Sequence, residues 1–182
     1  MKKLILIISF CTGNLAVFPQ SPPKSVCTEA VTGTTEYDMQ TNKSCQNRLY
    51  RYSDGTIGAT WMLSQNSSFA DRGTGYNYYN GTTWGPQPTS RIENVKTGWP
   101  SYAPYNGGGE VVVSHKGGTA ALTILKRSTR GSGAWSQGDI PSPSGSPGMT
   151  WPRMVTNGPN HNNIHVIALT TPVANGGVTY LG

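Results

Sequence analysis

Tryptophan recurs in this chain at a fixed spacing, and that spacing restricts the fold more than any other feature. Thr97-Gly98-Trp99-Pro100 is echoed by Met149-Thr150-Trp151-Pro152, which puts the two tryptophans 52 residues apart. Each Trp-Pro is followed by a loop rich in Gly, Pro and Asn and then by a β-branched run. Val111 and Ile164, inside those runs, are 53 apart. Trp84 and Trp135 each end a glycine-containing turn and lie 51 apart. Three markers in register define a unit of about 50 residues that buries its apolar surface against neighbours of its own kind.

Within one period the sequence predicts four short strands, which for the middle unit fall near 101–105, 110–115, 120–126 and 134–137. Lys116-Gly117-Gly118 is a hairpin turn signal between two apolar runs. The earlier unit reads the same way, with a turn at Ser53-Asp54-Gly55 and another at Asn80-Gly81. With 23 glycines and 13 prolines the chain favours many short elements, and no segment after the N-terminus keeps a helical period. The expected fold is therefore all-β, an incomplete β-propeller of two to three four-stranded antiparallel blades. A compact β-sandwich that imitates blade spacing is the alternative. The blades fall near residues 47–96, 97–146 and 147–182. The 136 residues from Asn47 onward make about 2.6 periods, whereas closed propellers need about four to eight blades. Further blades of a longer protein are thus an expected partner.

Residues 1–18 have the pattern of a secretory signal peptide, with Lys2-Lys3 ahead of an apolar stretch from Leu4 to Phe10. That stretch is too short to span a bilayer, so the mature chain is expected not to be transmembrane and to be secreted or held at a bacterial cell surface. Cys11 raises a lipoprotein alternative, which Phe10 in front of it disfavours. Residues 19–46 read as an N-terminal extension. There Cys27 and Cys45 could close a disulfide loop of about 19 residues in an oxidising compartment, contributing about 3 kcal/mol. Two cysteines without a Cys-x-x-Cys knuckle argue against zinc, and no metal or cofactor is expected. The net charge of +6 is scattered rather than gathered into a stripe, which excludes nucleic acid as the expected partner.

The stretch from Asp71 to Pro86, with Arg91-Ile92-Glu93 and Thr97 to Tyr102, resembles the N-terminal propellers of large secreted proteins of Bacteroidetes-type bacteria. Those are similar to the sialidase-like superfamily, whose Asp-box reads Ser-x-Asp-x-Gly-x-x-Trp. Only the Gly-x-x-Trp end is kept here, at Gly81 to Trp84 and at Gly58 to Trp61. Tyr79 and Thr56 stand at the Asp position. The resemblance implies a blade architecture. Were the chemistry kept, it would also imply an arginine cluster, a tyrosine nucleophile activated by glutamate, and an aspartic acid/base.

With eight acidic residues in all, the sequence offers no convincing catalytic constellation, and none is assigned. The best ligand-binding candidates are Asp71, Arg72, Tyr76 and Tyr78, with Arg91 and Glu93 nearby. Aromatic faces beside guanidinium groups suit stacking on sugars and pairing with carboxylates. The competing structural reading is an ion pair fixing a loop, with the tyrosines filling space between blades. Trp84, Trp99, Trp135 and Trp151 are read as structural markers of the repeat. His161 and His165 have the spacing of a helical zinc pair, but they sit where the pattern predicts a strand. The functional expectation is an exported, non-catalytic propeller for binding or adhesion to glycans or a cell-surface protein. The alternative is a sialidase-type exo-glycoside hydrolase whose site is completed by further blades.

Overall fold

The structure is a computed structural model that describes residues 29–41, 46–117, 121–144 and 148–170 and the backbone of a last strand at 179–181. The expected signal peptide and the pair Cys27 and Cys45 lie outside the described residues. From Val31 onward the chain forms one unit.

Among the described residues ten strands run in chain order: β1 Leu49–Arg51, β2 Ile57–Leu63, β3 Gly73–Tyr79, β4 Thr97–Tyr105, β5 Gly109–Lys116, β6 Leu122–Arg127, β7 Ser136–Ile140, β8 Met149–Asn157, β9 Asn163–Thr170 and β10 Thr179–Leu181. Among the described residues the one helical element is a 3-10 turn at Pro159–His161. The strands form three antiparallel meanders, ordered β1-β2-β3, β4-β5-β6-β7 and β10-β9-β8. The protein is thus all-β, with antiparallel sheets. The expected four strands appear in the middle sheet, and among the described residues the first and third sheets show three each.

The Trp-Pro markers lie inside strands rather than ahead of them. β4 and β8 begin before their tryptophans, and each breaks register there, between Gly98 and Ser101 and between Thr150 and Arg153. Trp99 and Trp151 adopt left-handed φ values of 54° and 51°. A non-glycine residue there costs about 1–2 kcal/mol, and the prolines that follow lack the N–H a regular ladder would need. A β-bulge accommodates both features and turns the strand sharply. The 52-residue spacing is therefore the spacing of a bulge.

Strand alternation then assigns the faces. Tyr102 of β4, Val112 of β5 and Leu125 of β6 pack with Tyr52, Tyr50 and Tyr76 of the first sheet. The intervening Ala103, Val111, Val113 and Leu122 pack on Met149, Met154 and Ala168 of the third. The core thus has two slabs, one between each pair of neighbouring sheets, with the valine run of β5 buried on both sides, and a further buried cluster of Tyr37, Met62 and Trp99. The third sheet repeats this polarity. Met154 and Val166 face back to the middle sheet, whereas Val155 and Ile167 point away and are 55% and 37% exposed. Val155 and Ile167 occupy the register positions of Ala103 and Val113, which are buried.

Candidate functional site

Close approach between the first two sheets is set by Gly58 of β2, where a Cβ would lie 1.9 Å from the Tyr102 hydroxyl. Gly58 to Trp61 thus belongs to a buried strand and not to a hairpin turn. The Gly81 turn is a true turn, with φ of 97° at Gly81. Asn80 Oδ1 accepts the N–H groups of Thr82 and Thr83 at 2.9 Å each and so fixes the turn.

The six residues singled out from the sequence separate into different environments. Asp71 does not pair with Arg72. Its carboxylate accepts the Ser64 hydroxyl at 2.5 Å and the Gln65 N–H at 2.8 Å, and these bonds hold its pKa below the ordinary carboxylate value. Arg72 turns the other way. Its Nε donates to the Thr97 carbonyl at 2.9 Å, and its guanidinium lies over the rings of Tyr37 and Trp99. Arg91 donates to the carbonyls of Glu93 and Arg72. Glu93 is buried and accepts from the Thr74 N–H at 2.8 Å, the Thr97 hydroxyl at 2.9 Å, the Ser114 hydroxyl at 3.1 Å and the Thr74 hydroxyl. It ties the loop before β4 to β3 and β5. Of the six, Tyr76 and Tyr78 line the cleft described below.

At the bulges, Trp99 stacks on His115 with ring centroids 5.0 Å apart, and Trp151 lies 6.3 Å from Trp99. His115 Nδ1 accepts the Trp151 N–H at 3.2 Å, so the ring is held in its neutral form. Burial, and secondarily the Arg72 charge, lower its pKa from 6.5 to about 4. Between pH 6.5 and 4 the unfolded chain binds a proton that the folded chain refuses. Folding stability is therefore expected to fall as pH drops through that window and to level off below about 4. Urea titrations from pH 7 to 4 check this. His115→Asn should lose the His-linked slope of stability against pH in that window, though it lowers stability at pH 7.

The centre of the first slab is polar, a feature the sequence reading missed. Glu110 of β5 is fully buried and forms an ion pair with Arg127 of β6, whose Nε donates to it at 2.5 Å. It also accepts the Tyr76 hydroxyl at 3.0 Å, the Tyr102 hydroxyl and the Gly131 N–H at 3.2 Å. Tyr52 joins through a 2.7 Å contact with the Tyr102 hydroxyl. Burial first, and then the Glu110 charge, raise the phenol pKa of both Tyr76 and Tyr102 far above 10.

This network backs a surface cleft of about 570 Å³. Its walls carry Tyr78, Trp84 and Trp135 with Arg127 and Arg130. Arg127 sits 4.5 Å from the Tyr76 ring centre and 4.3 Å from that of Trp135. Arg130 lies 4.1 Å over Tyr52 and donates to Asp54 Oδ2 at 3.0 Å. Trp84 bridges to Tyr79 of its own sheet, whereas Trp135 packs edge-on to Tyr76 of the neighbouring sheet at 5.4 Å. The two tryptophans 51 residues apart therefore meet at one cleft. His161 bonds Thr156 and His165 bonds Asn157. Among the described residues no cluster of His, Cys, Asp or Glu could hold a metal ion, and no helix is long and apolar enough to cross a membrane.

Fold and cleft together define an all-β protein of stacked antiparallel meanders with an aromatic, guanidinium-lined recess. No family model and no curated protein matches the chain. It is similar to the crystal structure of a protein of unknown function from Dyadobacter fermentans, at 15% identity and a TM-score of 0.44. The match covers 76% of this chain and 42% of that one, so this chain spans less than half the length of that neighbour.

Proposed function

We propose that this chain is a non-catalytic binding module of an exported β-propeller and that its cleft holds saccharides. The observation that carries the reading is the convergence of Trp84, Trp135 and Tyr78 on one open recess edged by Asn80, Thr83 and Ser132. Aromatic faces match the C–H faces of pyranose rings, and amide and hydroxyl groups meet sugar hydroxyls. The propeller reading is supported by the uncovered face of Val155 and Ile167, which is equivalent to a face that the next sheet covers one repeat earlier. A further sheet stacked there would extend the series.

The hydrolase alternative draws on the Tyr76 hydroxyl bonded to Glu110, since a glutamate beside a tyrosine is the arrangement that activates a phenol nucleophile. The electrostatics oppose it. Burial and the Glu110 charge raise the Tyr76 pKa, and a nucleophile needs the opposite. No carboxylate lines the cleft among the described residues, so an acid/base partner is missing there. Turnover of a fluorogenic sialoside is expected to be absent.

Glycan-array screening followed by calorimetry tests the binding reading. Trp84→Ala and Trp135→Ala should each weaken the best saccharide about tenfold or more, as loss of a central aromatic anchor does. Binding untouched by both substitutions, or no saccharide bound, would refute it.

A further inference from the structure

We infer that the cleft selects uncharged saccharides over acidic ones, because each of its two guanidiniums already faces a carboxylate of the protein itself. The inference rests on the saccharide reading of the same cleft and deepens it. Arg127 and Arg130 are the charged residues of its lining. A net charge of +6 would by itself suggest an anionic ligand.

The local pairing removes that attraction. Arg127 is ion-paired with fully buried Glu110, donates to the Gly133 carbonyl at 3.3 Å and lies over two aromatic rings. An acidic sugar could take this guanidinium only by leaving Glu110 buried without its countercharge. Arg130 is the more accessible of the two, with a side chain 23% exposed. Its partner Asp54 is itself fixed, because Oδ1 accepts the Thr56 N–H at 3.0 Å and the Thr56 hydroxyl at 2.7 Å. Those bonds, before the Arg130 charge, hold the Asp54 pKa below its ordinary value, so the carboxylate is ionised at neutral pH. A ligand carboxylate at Arg130 would meet a guanidinium whose charge Asp54 already answers, and would shed its own water besides. An uncharged pyranose avoids both costs and keeps the stacking surfaces of Trp84, Trp135 and Tyr78.

The experiment measures wild-type protein and Asp54→Asn against neutral saccharides and their uronate or sialylated counterparts. It uses an array and then calorimetry in about 0.15 M salt, so that the long-range charge of the chain is screened. The wild type should bind a neutral saccharide about tenfold or more tightly than its acidic counterpart. Asp54→Asn, which frees one guanidinium edge of a partly exposed pair, should tighten the acidic counterpart by about two- to fivefold and leave the neutral one unchanged. Acidic binding to the wild type as tight as neutral binding would overturn the inference and leave saccharide binding intact. An acidic affinity unmoved by Asp54→Asn would also overturn it. No binding of either class would overturn both readings.

Discussion

Glu110→Ala is expected to lower folding stability by about 3–5 kcal/mol, the range for stranding one member of a buried ion pair. Arg127, whose side chain is 7% exposed, would keep its charge with no carboxylate beside it. The hydroxyls of Tyr76 and Tyr102 and the N–H of Gly131 would lose their acceptor at the same time. Those groups come from β3, β4 and the loop after β6, so one substitution loosens the first and middle sheets together. Glu110→Gln should cost less, because an amide oxygen still accepts from the tyrosines although the charge on Arg127 goes unanswered. Urea denaturation with an unchanged slope would read the loss as a shift in midpoint. A cost below about 1 kcal/mol for Glu110→Ala would mean that the network is solvated and does not join the sheets.

Glu93→Ala is expected to cost about 3 kcal/mol, through a different mechanism. Among the described residues no cation bonds to the Glu93 carboxylate; its donors are a backbone N–H and three hydroxyls from Thr74, Thr97 and Ser114. Each donor left buried without an acceptor costs about 1–3 kcal/mol, less whatever rotation or an entering water recovers. Glu93→Gln restores one acceptor oxygen and should recover part of the loss. Because Glu93 lies outside the cleft lining, saccharide affinity of the folded variant should match wild type. A large drop in affinity with little change in stability would return Glu93 to the binding residues.

These two glutamates show where sequence reasoning reaches and where it stops. The repeat is legible because the bulge combines a tryptophan in a rare backbone conformation with a proline that a regular ladder would exclude, so its signature is local. The β5–β6 hairpin and the valine run were legible for the same reason. Asp71 and Arg72 are adjacent in the sequence, but Asp71 sits in the turn that ends just before β3, and the structure sends one side chain to Ser64 and the other to Tyr37 and Trp99. Glu110 carries no local signal that sets it apart from the valines beside it. Its partners lie 8 to 34 residues away on three segments, and only its alternation with Val112 and Ser114 hinted that it faces inward. In the sequence Trp84 and Trp135 are equivalent repeat markers. Their meeting at one cleft depends on how two sheets stack, which spacing along the chain does not encode.

The most direct test of the saccharide cleft is a proton–nitrogen spectrum of the five tryptophan indoles, titrated with the best neutral saccharide from the array. The indole signals of Trp84 and Trp135 should move and saturate together, while those of Trp61, Trp99 and Trp151 stay in place. Movement confined to Trp99 and Trp151, or none at saturating ligand, would contradict the assignment of the binding site to this cleft.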